Sequence, residues 1–342
     1  VETRSRENLA RRMRASFLVM GPLLARVGHA ASPHPGGCAI GERPVNVDVR
    51  GFEAMGAKLR HVNGYYVAEA TRLLGRKLYL DYPSHTGTEN LLMAACLADG
   101  KTIIKHASME PEVSDLAQFL VAMGANISGI GTSVLEVEGV ERLHGANHVV
   151  MPDRLEAGTF LIAGVISGGE VTVSQVIPEH LDAVTYKLRE ARARVEEMES
   201  SVTAASTGTL EGVEIQAISY PGFPTDLQSA FSTLLTQARG VSLVHERVFE
   251  NRLGYGVELT KMGARFEVAG QTARITGPTP LQGTDVYALD IRSGAAVVLA
   301  ALAAEGVTTI HDLYHLDRGY DDLLETLTSL GAVVEAEFGP VP

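Results

Sequence analysis

The chain has 342 residues, 35 of them glycine, and a formal net charge of −12. That length suggests about two domains, and the acidic balance argues against a nucleic-acid surface. With only two cysteines there is no disulfide framework to expect, and a reducing, cytoplasmic compartment fits best.

In chain order, the first stretch, Val1 to Asn8, is charged and leads into no signal-type core, so no export signal is expected. The apolar run Phe17 to Ala25 is broken by Gly21-Pro22, and the later run Ala295 to Ala304 is also short. Both fall well below the roughly 20 residues that span a bilayer, so no membrane partner is expected. Between them comes Pro35-Gly36-Gly37-Cys38-Ala39-Ile40-Gly41-Glu42-Arg43-Pro44. Glycines on both sides of Cys38 give the backbone freedom to hold a thiol out in a turn. Cys96 lies instead in Leu91-Leu92-Met93-Ala94-Ala95-Cys96-Leu97, where a structural thiol belongs.

A helix-end signature then recurs: Met55-Gly56-Ala57, Met123-Gly124-Ala125, Met262-Gly263-Ala264 and Leu330-Gly331-Ala332, with a degenerate copy at Glu190 to Val195 aligned on Ala191. The steps are 67 to 72 residues. Each copy follows an amphipathic stretch and precedes a short β-type run, the last being Val333-Val334-Glu335. Between the copies, an apolar helix ends in glycine before a strand, at Gly100, Gly168, Gly240 and Gly306. Each period of about 70 residues thus holds two helices and roughly four short strands, which suggests duplicated α/β modules. Helices such as Gly294 to Leu302, apolar nearly all round, belong inside, with the sheets outside. No Gly-x-Gly-x-x-Gly motif follows a first strand, and there is no P-loop.

These modules and the Pro-Gly-Gly-Cys loop resemble the enolpyruvyl transferase family, in particular the branch whose acceptor is UDP-N-acetylglucosamine. The resemblance also rests on Met13 to Ser16, Gly21 to Arg26, Met109-Glu110-Pro111-Glu112, Pro152 to Phe160, Phe223-Pro224-Thr225-Asp226-Leu227-Gln228, Val248 to Arg252, Asp290-Ile291-Arg292 and His315 to Tyr320. It implies a two-domain, inside-out α/β barrel, with a cysteine-loop domain over 1–152 and a second domain over 153–342. Five modules are counted where the family has six. The family's N-terminal module, with a Lys-Asn pair that grips phosphoenolpyruvate, has no counterpart before Arg14, so the chain reads as N-terminally truncated.

The activity implied is transfer of the enolpyruvyl group of phosphoenolpyruvate to the sugar 3-hydroxyl, with release of phosphate, the first committed step of peptidoglycan synthesis. By the same resemblance Cys38 is the general acid and a covalent residue, and an ordinary thiol is mostly protonated at neutral pH. Asp226 matches the carboxylate that accepts the hydroxyl proton; read from sequence alone it is also a helix N-cap. Arg43 and Arg318 match arginines that face phosphate, and Arg252 and Arg292 match those that face the substrate carboxylate, a task suited to bidentate guanidinium groups. The UDP-sugar segments match Arg14, Arg43, Pro44, Val45, Asn46 and Val47, then Tyr82, Pro83, Ser84 and His85, then Val248. Glu110 and Asp153 match acids near a hinge, with ordinary salt bridges as the competing reading.

Asp48, Tyr82, Pro83 and His85 depart from the family pattern; loss of a basic residue at Tyr82 weakens diphosphate contact there, which His85 could partly restore. His61, His180 and His245 show no metal-ligand spacing, so neither metal nor cofactor is expected. The molecule is expected to be monomeric. Two alternatives stand: the shikimate-pathway relative, which uses no loop cysteine, and an inactive nucleotide-sugar-binding variant.

Overall fold

The computed structural model describes residues 2–38 and 40–335. The chain divides into two compact units: Val1–Cys38, Glu42–Met151 and Ser219–Pro221 form the first, and Ala39–Gly41, Pro152–Ile218 and Gly222–Pro342 the second. Among the described residues, no helix is long and apolar enough to cross a membrane.

The first unit runs α1 (Glu7–Ala10), α2 (Met20–Val27), β1 (His29–Pro33), α3 (Asn46–Ala54), β2 (Lys58–Val62), β3 (Tyr65–Glu69), β4 (Lys77–Tyr79), α4 (His85–Ala95), β5 (Lys101–Lys105), α5 (Pro111–Ala122), β6 (Asn126–Ser128) and β7 (Val134–Glu138). One sheet has the order β1-β3-β2 and is antiparallel; the other, β4-β5-β7-β6, is parallel only at β4–β5. Helix α4 is buried through Leu91, Leu92, Ala94 and Ala95, followed by Cys96 at its C-cap. It meets α2 backbone to backbone. A Cβ on Gly21 would lie 2.2 Å from the Asn90 carbonyl oxygen, so only glycine fits that crossing.

The second unit runs α6 (Arg154–Ile166), β8 (Glu170–Ser174), α7 (Asp182–Glu190), β9 (Arg194–Glu197), β10 (Ser201–Ala205), β11 (Leu210–Glu211), β12 (Glu214–Ala217), α8 (Thr225–Leu235), β13 (Ala238–Glu246), α9 (Gly256–Lys261), β14 (Arg265–Ala269), β15 (Thr272–Gly277), β16 (Asp285–Tyr287), α10 (Ile291–Ala303), β17 (Thr309–His311) and α11 (Leu323–Ser329). Its sheets are β8-β10-β9, a group centred on β13 with β11 and β12 on one edge and β15-β14 on the other, and the pair β16-β17. Helices α6, α8 and α10 supply much of the core, with Leu161, Ile162, Phe231, Leu234 and Val297 fully buried. Each such side chain contributes about 1.5–3 kcal/mol of burial. Ser229 Oγ donates to the Arg292 carbonyl at 2.8 Å, tying α8 to α10. Helices inside and sheets outside is the inside-out α/β organisation the sequence led us to expect.

One cap recurs through both units. Gly56, Gly124, Gly263 and Gly331 have φ of +97°, +98°, +99° and +100°. The alanine after each donates its amide back to the carbonyl five residues earlier: Ala57 to Phe52, Ala125 to Leu120, Ala264 to Leu259 and Ala332 to Leu327, at 2.9–3.0 Å. The degenerate copy closes in the same way, with Ala193 donating to Leu188 at 2.9 Å. Its left-handed residue is Arg192, at φ +72°, and not Ala191, so the sequence alignment of that copy was one residue early.

Two further expectations change. Gly240 is not a helix cap: β13 starts at Ala238 and contains it, at φ +95°, where pairing passes from β11 to β12. A glycine there lets one strand bend between two partners. The run Val333 to Glu335 forms no strand among the described residues, and Val333 is 97 % exposed. Residues 336–342 lie outside the described residues.

Candidate active site

In the first unit, the residues singled out by sequence gather around the start of α3. The loop after β1 turns through Gly37, at φ +124°, where a Cβ would lie 2.9 Å from Arg43 Nη1. The bare backbone therefore lets the Arg43 guanidinium lie against the loop that carries Cys38, whose side chain is half-buried. Arg14 donates through Nη1 to the Arg43 carbonyl and through Nη2 to the Pro44 carbonyl, the latter at 2.8 Å. One guanidinium thus fixes the backbone at Arg43 and Pro44, where the segment Arg43 to Val47 begins. Burial first, and then the Arg43 charge, lower the Arg14 pKa below its ordinary value.

Asp48 sits in the first turn of α3, 2 % exposed. It accepts from Asn90 Nδ2 at 2.7 Å. Asn90 also donates to the Phe17 carbonyl at 3.1 Å and accepts from the Gly21 amide at 2.7 Å. Burial pushes the Asp48 carboxyl above the ordinary range, against the pull of the Asn90 bond and the Arg14 charge. The residue that departs from the family pattern is therefore tied into the core.

The second acceptor segment caps α4. Ser84 Oγ accepts from the Gly87 amide at 3.1 Å, and Tyr82 donates its hydroxyl to Asn46 Oδ1 at 3.4 Å, joining the two segments. Pro83 is half-buried between them. His85 pairs with Glu89 at 3.3 Å. Burial pulls its pKa down, but the Glu89 bond and charge, with Glu112 and Glu110 behind, raise it overall. A protonated His85 is thus partly neutralised inside the protein, which limits the compensation expected from it. Cys96 is fully buried and its thiol is pushed up to about 12, as a structural thiol should be.

In the second unit, Asp226, Arg252 and Arg292 meet. Arg252 Nη2 donates to Asp226 Oδ1 at 2.6 Å, and Arg292 Nε to Asp226 Oδ2 at 3.2 Å. The arginine side chains are 3 % and 13 % exposed, the aspartate 35 %. Arg292 also donates through Nη1 to the Tyr320 hydroxyl at 3.3 Å. Burial works to lower its pKa, but the charges of Asp226, Tyr320 and Asp153 outweigh that and raise it. Arg318 ends the 3-10 turn Leu313–Arg318, two residues before Tyr320, and is exposed. Val248 is exposed on the loop after β13.

The N-cap reading of Asp226 is corrected. Helix α8 starts at Thr225 with Pro224 at the cap, and no side chain caps it. Both Asp226 oxygens are engaged by arginine instead, since two guanidinium groups outcompete a backbone amide for a carboxylate. Asp153 is the residue that caps: it accepts from the Leu155 and Glu156 amides at the start of α6. Glu110 Oε1 accepts from the Tyr220 amide at 3.2 Å.

Sequence reasoning missed Asn90 and Glu246. Glu246 is fully buried at the end of β13 and accepts from Thr225 and from the amides of Val248 and Phe249. The signal was present: Ser242, Val244 and Glu246 alternate on the buried face of one strand, so a carboxylate there must be satisfied internally.

Comparison with known proteins gives the family. The family model for EPSP synthase (3-phosphoshikimate 1-carboxyvinyltransferase) matches residues 1–327. UDP-N-acetylglucosamine 1-carboxyvinyltransferase 1 of Caldanaerobacter subterraneus subsp. tengcongensis is 48 % identical over 326 residues, 95 % of this chain and 79 % of the relative. UDP-N-acetylglucosamine 1-carboxyvinyltransferase 2 of Carboxydothermus hydrogenoformans is 50 % identical over 327 residues, 95 % of this chain and 78 % of the relative. Among solved structures, the enolpyruvyl transferase NikO from Streptomyces tendae superposes with a TM-score of 0.86 at 28 % identity, covering 98 % of this chain and 80 % of its own. EPSP synthase from Acinetobacter baumannii, at 18 % identity and a TM-score of 0.73, covering 95 % and 79 %, shares the fold. The chain belongs to the EPSP synthase family of enolpyruvyl transferases.

Proposed function

We propose that this protein transfers the enolpyruvyl group of phosphoenolpyruvate to the 3-hydroxyl of UDP-N-acetylglucosamine and releases phosphate. The observation that carries the chemistry is one carboxylate held by two nearly buried arginines, Asp226 between Arg252 and Arg292. The acceptor follows from the names of the relatives that are about half identical along almost the whole chain. The shikimate-phosphate alternative draws on the name of the family model and on a solved structure at 18 % identity, which is weaker support than relatives about half identical.

In this reading Arg252 and Arg292 receive the carboxylate of phosphoenolpyruvate, and Arg43 and Arg318 its phosphate. While both Asp226 oxygens accept from arginine, the carboxylate is poorly placed to take a proton. An incoming substrate carboxylate that takes those donors frees Asp226 for the sugar hydroxyl. Asp226 then removes the 3-hydroxyl proton as that oxygen bonds to C2, and Cys38 protonates C3. The Cys38 thiolate then takes a C3 proton back as the C2–O bond to phosphate breaks, and the phosphate leaves with the proton held by Asp226, so that the double bond, the thiol and the carboxylate are all restored. Arginine charges fixed before reaction stabilise the anionic transition state without reorganising. Arg14, the segment Arg43 to Val47, the segment Tyr82 to His85 and Val248 hold the nucleotide-sugar. The setting is the cytoplasmic entry to peptidoglycan synthesis and cell-wall biogenesis.

The test is phosphate release from phosphoenolpyruvate by the gene product. It is expected only when UDP-N-acetylglucosamine is present. Release that depends on shikimate 3-phosphate instead overturns the assignment.

A further inference from the structure

We infer that Glu246 is a positioning residue that sets the Asp226–Arg252 geometry, by tying the start of α8 to the loop that carries Arg252. This rests on the reading above, in which Asp226 and Arg252 act on substrate.

Glu246 closes β13, in register with Ala217 of β12, and its amide donates to the Gln271 carbonyl at 2.9 Å. The sheet therefore fixes its backbone. Its side chain has no exposed surface, yet it is a carboxylate, which is costly to bury unless every oxygen is satisfied. Oε2 accepts from Thr225 Oγ1 at 2.7 Å. Oε1 accepts from the Val248 amide at 2.7 Å and the Phe249 amide at 3.1 Å. Burial raises its pKa, and these three bonds and the Arg252 charge work against that rise.

The three donors lie on the two segments that matter. Thr225 precedes Asp226 in the first turn of α8. Phe249 presents its ring to Arg252, with the guanidinium carbon 5.7 Å from the ring centroid. Arg252 then closes the circuit on Asp226 at 2.6 Å. Glu246, Thr225, Asp226, Arg252 and Phe249 thus form one closed ring of contacts, in which only Asp226 and Arg252 are proposed to touch substrate. A purely structural glutamate would not need to bond both segments. Small displacements of such groups matter, because reacting atoms must be held within about 0.5 Å of productive geometry.

Glu246→Gln is the direct variant, but an amide NH2 facing a donor inside the core could unfold the unit. Thr225→Val is therefore the working variant: isosteric, and lacking only the hydroxyl that bonds Glu246. Thr225→Ser keeps that hydroxyl. Two readouts are taken on folded protein: phosphate-release kinetics, and the Nε–H resonance of the buried Arg252, assigned by its loss in Arg252→Lys. Thr225→Val is expected to lower kcat by about tenfold or more, to leave the KM for UDP-N-acetylglucosamine within about twofold, and to move the Arg252 resonance. Thr225→Ser should return both readouts to near those of the parent. An unmoved resonance in Thr225→Val, or equal damage in Thr225→Ser, overturns the proposal. If the parent shows no release dependent on UDP-N-acetylglucosamine, the functional reading falls, and the resonance alone then decides whether Glu246 sets the Arg252 position.

Discussion

Arg252 lies 2.6 Å from Asp226, and the pair is half hidden: the arginine side chain is 3 % exposed and the aspartate 35 %. A guanidinium so enclosed cannot leave for solvent; it can only exchange one carboxylate for another. Asp226 and the substrate carboxylate therefore compete for the same donors.

Removing the competitor separates binding from chemistry. Asp226→Asn is expected to lower kcat by at least about a hundredfold, the scale of a lost general base, while phosphoenolpyruvate binds as tightly as before or more tightly. Equilibrium binding by calorimetry and turnover by phosphate release check the two halves. Markedly weaker binding of phosphoenolpyruvate to Asp226→Asn would sink the competition.

The two thiols should differ completely toward an electrophile. Cys38 is half-buried on a glycine turn, while Cys96 is fully buried with its thiol pushed up to about 12. Exposure to the epoxide fosfomycin with the UDP-sugar present is expected to add mass to the Cys38 peptide alone. Modification of Cys96, or an unmodified Cys38, contradicts this assignment.

Asp48 makes stability depend on pH with a definite sign. Burial raises its carboxyl above the ordinary range, so the ionised form weakens the fold at neutral pH. Its contribution is fully present below the unfolded pKa and is lost as pH rises through the raised folded value. Asp48→Asn keeps an acceptor for Asn90 and carries no charge. It is expected to melt higher than the parent at pH 7–8, with the gain shrinking as pH falls and gone below about 4. Melting curves across that range test it; a gain that grows toward acid would refute the burial argument.

Arg192 is the one non-glycine in a cap otherwise built on glycine at φ near +100°. Left-handed backbone costs an L-residue about 1–2 kcal/mol, part of which glycine returns through its looser unfolded state. Arg192→Gly is expected to stabilise by about 0.5–1 kcal/mol, and Gly56→Ala to destabilise by about 1 kcal/mol. Denaturant unfolding decides, and a destabilised Arg192→Gly would mean that the arginine side chain holds that turn.

The inside-out organisation was legible in the sequence because glycine and apolar periodicity are local signals. Each cap closes within six residues, and α10 is apolar nearly all round. The degenerate cap was misplaced by one residue because arginine carries no turn signal of its own. The meeting of Asp226, Arg252 and Arg292 came from the family match, since segments 26 and 66 residues apart share no local pattern. Glu246 and Asn90 escaped because their partners, backbone groups, a hydroxyl and the Asp48 carboxylate, are brought together only by packing. The competing reading of Asp226 as a cap fails because, at a helix start, sequence cannot say which donors reach a carboxylate first.

The reuse of one cap also orders events in time. Its bonds join atoms a few residues apart, so they can close as soon as a helix forms. The amide of Thr279 bonds the Thr236 carbonyl 43 residues away and must wait for the chain to find itself. A pulse of hydrogen exchange during refolding should therefore protect Ala57, Ala125 and Ala264 at their helix ends before it protects Thr279.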